Sequence, residues 1–211
     1  NWGGTRIEPW VSIEGFESVP ELSGLAHQVK QYQSSTRVGG GSPSAIYNSM
    51  VHPLTPFAMR GGIWYQGESN GNEGTSYYHK KHALVKGWRK VFQNPDLAFY
   101  WVQLANFQRE SREPAGGEGW AKIRAAQTRA LDIPGTGMAV ITDIGAANDI
   151  HPRNKQDVGW RLAQWALNQT YGRKKLVPSG PLYKSLKVEG DSVRLSFRHV
   201  GSGLMVGRKS G

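Results

Sequence analysis

The chain has 211 residues, of which 38% are hydrophobic and 20% charged, enough for one ordinary globular domain or one domain and the start of a second. That balance excludes a disordered or fibrous chain, and no apolar run approaches the ~20 residues of a membrane span. The absence of cysteine excludes a disulfide scaffold, a cysteine nucleophile and a thiolate metal site. The formal charge is +10, but the basic residues fall in short clusters, such as His79-Lys80-Lys81-His82 and Arg173-Lys174-Lys175. With no nucleic-acid motif beside them, neither a nucleic-acid nor a membrane partner is expected, and the clusters read as solvated surface. Eight Trp, eight Tyr and six Phe, interleaved with Asn, Gln and Gly, suit a sugar-handling surface, although most such rings belong to cores.

Along the chain, Thr5-Arg6-Ile7-Glu8 has the spacing of a capping box, so a helix or turn is expected to start there. Residues 34–49 are rich in Gly, Ser and Pro and read as a long surface loop. Gly61 to Tyr65 is a short strand candidate running into Gln66-Gly67-Glu68-Ser69-Asn70. A helix follows, because Tyr77, Leu84 and Val91, and likewise Tyr78, Val85 and Phe92, repeat at seven residues. Leu97 to Leu104 is nearly all apolar, as a parallel strand covered on both faces should be. Trp120, Ile123, Gln127, Ala130 and Leu131 trace one face of the next helix, and Thr136 to Thr142 is another buried strand. The loop Asp143 to Arg153 then leads to a helix opened by Asn154, with Asp157 as its capping partner.

Strand, helix, strand, helix, strand, helix predicts a parallel sheet wrapped by helices over residues 1–172. In such sheets ligands bind beyond the carboxyl ends of the strands, and two polar clusters, Gln66 to Asn70 and Asp143 to His151, fall at such ends. After Gly172, residues 173–182 resemble a linker. Leu186, Val188, Val193, Leu195 and Phe197 alternate about a turn, which predicts a hairpin opening a β-rich segment over 173–211. The opening Asn1-Trp2-Gly3-Gly4-Thr5, and the close directly after a strand pattern, predict a piece of a longer protein.

Several residues could carry chemistry. His151 stands in a loop with Asp149 two residues before it and Pro152 after it, a general-base arrangement or a local surface cap. Gln66 and Asn70 offer amide donors suited to an oxyanion, or simply a Gly- and Asn-rich turn. Ser69 lacks Gly-x-Ser-x-Gly surroundings. His79 and His82 have metal-ligand spacing without a third ligand, so they read with Lys80 and Lys81 as a solvated basic face. Gln127 on a core-facing position needs buried partners, which a site or a local network could supply.

Taken together, Trp2-Gly3-Gly4-Thr5 with Glu8 and Trp10, Trp64-Tyr65-Gln66-Gly67-Glu68-Ser69-Asn70, and Asp149-Ile150-His151-Pro152 with Lys155 resemble the sialate O-acetylesterase branch of the SGNH hydrolases. Tyr47-Asn48-Ser49-Met50 and Ile123-Arg124-Ala125-Ala126-Gln127 are similar too. The resemblance implies a flavodoxin-like three-layer α/β/α fold and cofactor- and metal-independent hydrolysis of carbohydrate O-acetyl esters by a serine, a histidine and usually an aspartate. It implies His151 as general base, Asp149 as orienting acid, and an oxyanion hole from Gly3 or Gly4 with Gln66 or Asn70. Glu68, Asn48, Arg124 and Gln127 would support substrate or site. The substrate would be an acetylated sialic acid or, as in near relatives, acetylated xylan or another polysaccharide; a non-catalytic carbohydrate-binding protein that kept the cleft is the reading from another class. An extracytoplasmic location is implied by the resemblance alone.

This chain departs from the pattern twice. The family's nucleophile segment, Gly-Gln-Ser-Asn-Met, is absent, so the serine is expected in a segment upstream of Asn1, of the same or another chain, and residues 1–211 alone are expected to be inactive. The wider pattern also has Asp three residues before the His, where this chain has Asn148. Asp149, Asp143 or a backbone carbonyl is left to orient the imidazole.

Overall fold

A computed structural model describes residues 1–32, 37–108 and 119–204. The short helices α1 (Ile13–Glu17) and α2 (Ser23–Lys30) come first, then β1 (Gly61–Trp64), α3 (Thr75–Val91) and β2 (Ala98–Val102). They are followed by α4 (Trp120–Arg129), β3 (Thr136–Ala139), α5 (Lys155–Trp165), and a hairpin of β4 (Leu182–Glu189) with β5 (Ser192–Arg198). β1, β2 and β3 form one sheet in that order, and both pairings are parallel, with Trp64 opposite Trp101 and Trp101 opposite Met138.

The apolar run of β2 is what makes the sheet the middle of three layers. Phe99 and Trp101 face a core shared with Phe16, Tyr77, Leu84 and Ile123 from α1, α3 and α4. Ala98, Tyr100 and Val102 face the opposite way, onto Val158, Leu162 and Trp165 of α5. Each side of the strand is thus removed from water, and burial of a large apolar side chain is worth about 1.5–3 kcal/mol. α1 meets α3 closely, because a Cβ on Gly87 would lie 2.8 Å from the Cα of Gly15; two missing side chains set that spacing. Asn154 caps α5 by accepting from the Asp157 N–H at 3.1 Å, as its sequence position predicts.

The two sheet edges differ. β1 pairs only with β2 among the described residues, and Ile63, on the α5 side, is 74% exposed because α5 packs over β2 and β3. On the far edge, the outward carbonyls of Met138 and Val140 accept from Trp165 Nε1 at 2.9 Å and from Arg161 Nη1 at 2.6 Å. The β4–β5 hairpin forms where alternation predicts it, with Leu186 opposite Leu195 and Val188 opposite Val193.

Three expectations are corrected. Thr5 and Glu8 make no capping box: the turn at Glu8–Trp10 has Ile7 as its uncapped N-cap, and the Thr5 hydroxyl bonds Trp2 O and the Trp10 indole instead. Residues 34–49 are not loop throughout. Residues 33–36 lie outside the described ones, but Ile46 and Tyr47 are buried and a helical turn runs over Tyr47–Val51. Lys80 and Lys81 are not solvated, since they sit three and four residues after Tyr77, on the buried stripe of α3.

Lys81 is the more extreme case. Its Nζ has no hydrogen-bond partner among the described residues and lies 5.0–5.4 Å from the ring centroids of Trp64, Tyr77 and Trp101. Burial drives the amine well below the usual lysine range, and the aromatic faces offset part of that cost. Between the lowered folded value and ~10.4 the folded state binds fewer protons than the unfolded one, so Lys81 lowers stability less as pH rises through that window. Lys81→Met is expected to stabilise the protein by about 1–3 kcal/mol at pH 7, with a smaller gain at pH 9.5. Paired thermal denaturation curves at the two pH values measure this.

Candidate active site

The carboxyl ends of β1, β2 and β3 deliver residues 65–70, 103–108 and 140–151 to one end of the sheet, and residues 1–8 wrap onto the first of these. Gln66 is the hinge of that contact. Its Nε2 donates to Thr5 O at 3.0 Å and to Asn70 Oδ1 at 2.8 Å, and its Oε1 accepts from the Tyr77 hydroxyl at 3.0 Å. Asn70 Oδ1 also accepts from the Ile7 N–H at 3.0 Å. The Asn70 Nδ2 donates to Glu8 Oε2 at 3.2 Å and to Glu73 Oε1 at 3.0 Å. Ser69 Oγ donates to Gly4 O at 3.1 Å.

Beneath this lies a charged layer that the sequence reading missed. Lys80 Nζ donates to Glu8 Oε1 at 2.7 Å and to Glu73 Oε2 at 2.5 Å, and Arg6 bonds both carboxylates and the Ser69 carbonyl. Burial alone would raise the Glu8 carboxyl, but the hydrogen bonds from Arg6 and Lys80 overcome it and hold it at about 2. The signal available beforehand was positional: Lys80 falls on the apolar stripe of α3, where a cation requires a buried anion.

The amides of Gln66 and Asn70 each have two N–H protons, and all four are engaged by protein acceptors. The main-chain N–H groups of Gly3 and Gly4 find no acceptor among the described residues, and both glycines are exposed. Gly67 is required by closeness: a Cβ there would stand 3.0 Å from Gln127 Nε2 and 3.2 Å from Leu104. Gln127, fully buried, donates to Gln66 O at 3.3 Å and accepts from the Leu104 N–H at 3.0 Å. It ties the ends of β1 and β2 together. Glu68 is half-buried and its carboxylate has no hydrogen bond or ion pair among the described residues, while its carbonyl accepts from the Gly71 N–H.

His151 stands on the neighbouring loop, with its side chain 82% exposed. Asp149 Oδ1 accepts the His151 main-chain N–H at 2.8 Å and lies 3.6 Å from its Nδ1. Lys155 docks this turn on β1: its Nζ donates to Pro152 O at 2.6 Å and sits 5.2 Å above the Tyr65 ring. Burial pushes the Tyr65 phenol up to about 12, so it stays neutral. Asp143, the other acid considered, holds Arg161 with both oxygens, at 2.6 and 2.7 Å.

The structure therefore joins Gly4, Gln66, Asn70 and Gln127 in one bonded network, and brings the Asp149–His151 pair beside it through Lys155 and Tyr65. No hydrogen bond links Asn48 or the Arg124 guanidinium to either group among the described residues; Asn48 is exposed on the helical turn, and Arg124 contributes its carbonyl to Gln103 Nε2 at 3.2 Å. Besides Ser69, three further serines hold local contacts. Ser12 caps α1, Ser18 bonds Gly15 O, and Ser49 bonds Ala45 O.

The family described as carbohydrate esterase, sialic acid-specific acetylesterase, matches residues 2–168, across both motif-bearing loops. The chain belongs to that family. The sialate O-acetylesterase of Homo sapiens is 33% identical over 205 residues, covering 89% of this chain and 38% of that protein. That of Rattus norvegicus is 29% identical over 228 residues, covering 89% of this chain and 42% of that protein. A crystal structure of a carbohydrate acetylesterase from Xanthomonas citri superposes with a TM-score of 0.76 at 37% identity, over 93% of this chain and 41% of the other. The chain thus spans 38–42% of the length of these curated relatives, and the three-layer fold is the one the solved esterase has.

The charged layer beneath the site makes a direct test possible. Because the Glu8 carboxyl is held below its unfolded value, its stabilisation is present above pH ~4.5 and lost as pH falls toward about 2. Glu8→Gln is expected to cost about 3 kcal/mol at pH 7, since Lys80 keeps only Glu73, and to flatten the stability profile between pH 4.5 and 2. Urea denaturation across that range measures both.

Proposed function

We propose that the protein containing this chain is a carbohydrate O-acetylesterase that acts by acyl transfer through a serine, with His151 as general base. The observation carrying this reading is the Asp149–His151 pair held by Lys155 against Tyr65 at the end of β1, whose neighbour Gln66 bonds the turn where the Gly3 and Gly4 N–H groups have no acceptor among the described residues. Family membership supports the ester chemistry, and the geometry is compatible with the roles.

His151 takes the proton of the serine hydroxyl as its oxygen attacks the acetyl carbonyl carbon. The oxyanion that forms is met by the Gly3 and Gly4 N–H groups, while Gln66 and Asn70 hold that turn in place. Collapse breaks the bond to the sugar oxygen, which receives the proton from His151. Water, deprotonated by the same imidazole, then attacks the acetyl carbon, and His151 returns the proton to the serine oxygen as acetate leaves. Asp149 orients the ring throughout, and its bond to the main-chain N–H already fixes it on the Nδ1 side. We place the serine outside these 211 residues, because those near the site are engaged in local contacts and none has the family's nucleophile surroundings.

In the intact protein, His151→Ala is expected to lower hydrolysis of an aryl acetate by about a thousandfold or more without lowering the melting temperature, given the exposure of this side chain. Full activity in that variant removes His151 from the mechanism. Gln66→Ala is expected to reduce kcat more than it raises KM, because a displaced Gly3–Gly4 turn weakens the transition state more than the ground state. Steady-state kinetics separate the two parameters, and a change in KM alone assigns Gln66 to substrate binding.

A further inference from the structure

A second concave site lies on the outer edge of β3, apart from the cluster at Gln66. It is a cavity of about 600 Å³ between β3, α5 and the segment Val177–Leu182, within the range of small-ligand sites. That segment is held over α5 by the Asn168 amide, which donates to Leu176 O at 2.7 Å.

Three features narrow what it can hold. First, a β-strand laid along the cavity would find the outward carbonyls of Met138 and Val140 already taken by the Trp165 indole and the Arg161 guanidinium. Second, the charges on its wall cancel, since Asp143 and Arg161 form a two-pronged pair, so neither an anion nor a cation is favoured. Third, the remaining wall combines an aromatic face with uncommitted polar groups. Trp160 is 63% exposed and lies one turn from Gln164 on α5. The Gln164 amide and the Thr142 and Ser179 hydroxyls make no side-chain hydrogen bond among the described residues. An apolar ring face with neutral donors and acceptors around it is the complement of a pyranose, whose C–H face stacks on indole while its hydroxyls bond the rim.

The cavity and the candidate active site share one loop. Thr142 and Asp143 on its wall open the loop that ends at His151. We propose that this groove is a second carbohydrate subsite, which takes a neutral sugar ring of the acetylated glycan beyond the unit being deacetylated. The assignment of the occupant as part of the substrate rests on the esterase reading above; the groove's preference for a neutral pyranose rests on its own wall.

The test uses the intact protein and calorimetric titration with unacetylated neutral oligosaccharides (xylohexaose, cellohexaose and lacto-N-tetraose), with an oligogalacturonate as the acidic counterpart. At least one neutral glycan is expected to bind, and Trp160→Ala and Gln164→Ala each to weaken it, the former by about tenfold. Turnover of a small aryl acetate should be unchanged in both variants, while kcat/KM on an acetylated form of the bound oligosaccharide falls. Absence of neutral-glycan binding, a Kd within about twofold of wild type in both variants, or tighter binding of the oligogalacturonate overturns the subsite. Glycan binding that depends on Trp160 in a protein whose hydrolysis ignores His151→Ala leaves the subsite standing and removes only the catalytic reading.

Discussion

The carboxylate of Glu8 is the point where three distant parts of the chain meet. It accepts from Arg6 beside it, from Asn70 on the turn after β1, and from Lys80 on α3. None of these groups could be buried alone, since an unpaired ion in an apolar interior costs far more than any one contact returns. Together they form a polar layer under the Gly3–Asn70 turn. Gln66 and Asn70 extend that layer upward, and every amide proton they have is directed into it. The turn is thereby fixed from below, and its glycines are left facing outward.

His151 is held quite differently. It stands in a mostly exposed loop, attached by a local bond to Asp149 and by the Lys155–Pro152 contact to Tyr65. The half of the site that would meet developing negative charge is pinned from beneath by buried hydrogen bonds, while the half that would carry the proton hangs on an exposed loop. A base with this exposure gains the low-dielectric advantage of an enclosed site only when another surface or the substrate covers it.

Much of the architecture is legible from sequence because it follows from side-chain type at a fixed period. The unbroken apolar stretch at 97–104 has to be a strand covered on both sides, and β2 is. The seven-residue repeat from Tyr77 to Val91 marks α3, and Asn154 with Asp157 marks the start of α5. The failures share one cause, which is reading residue type ahead of position. Lys80 and Lys81 look like surface because they are lysines, yet they fall between Tyr77 and Leu84 on the inward stripe. Thr5 and Glu8 have capping spacing, but Glu8 finds stronger partners some seventy positions away, and no local pattern records them. The same limit applies to the site. The string from Trp64 to Asn70 identifies a polar turn at a strand end, but which of its protons remain free depends on residues 5–8 and on Tyr77, and only the folded arrangement decides it.

The burial of Lys80 and Lys81 also alters what the protein presents at a distance. The formal charge of +10 counts both, yet one lies between two carboxylates and the other is driven toward its neutral form beneath three rings. Long-range attraction is set by the charges that reach the surface, and at physiological ionic strength it fades over about 8 Å. An approaching polyanion therefore meets a weaker and patchier field than the amino-acid count suggests, and an uncharged glycan loses nothing by that.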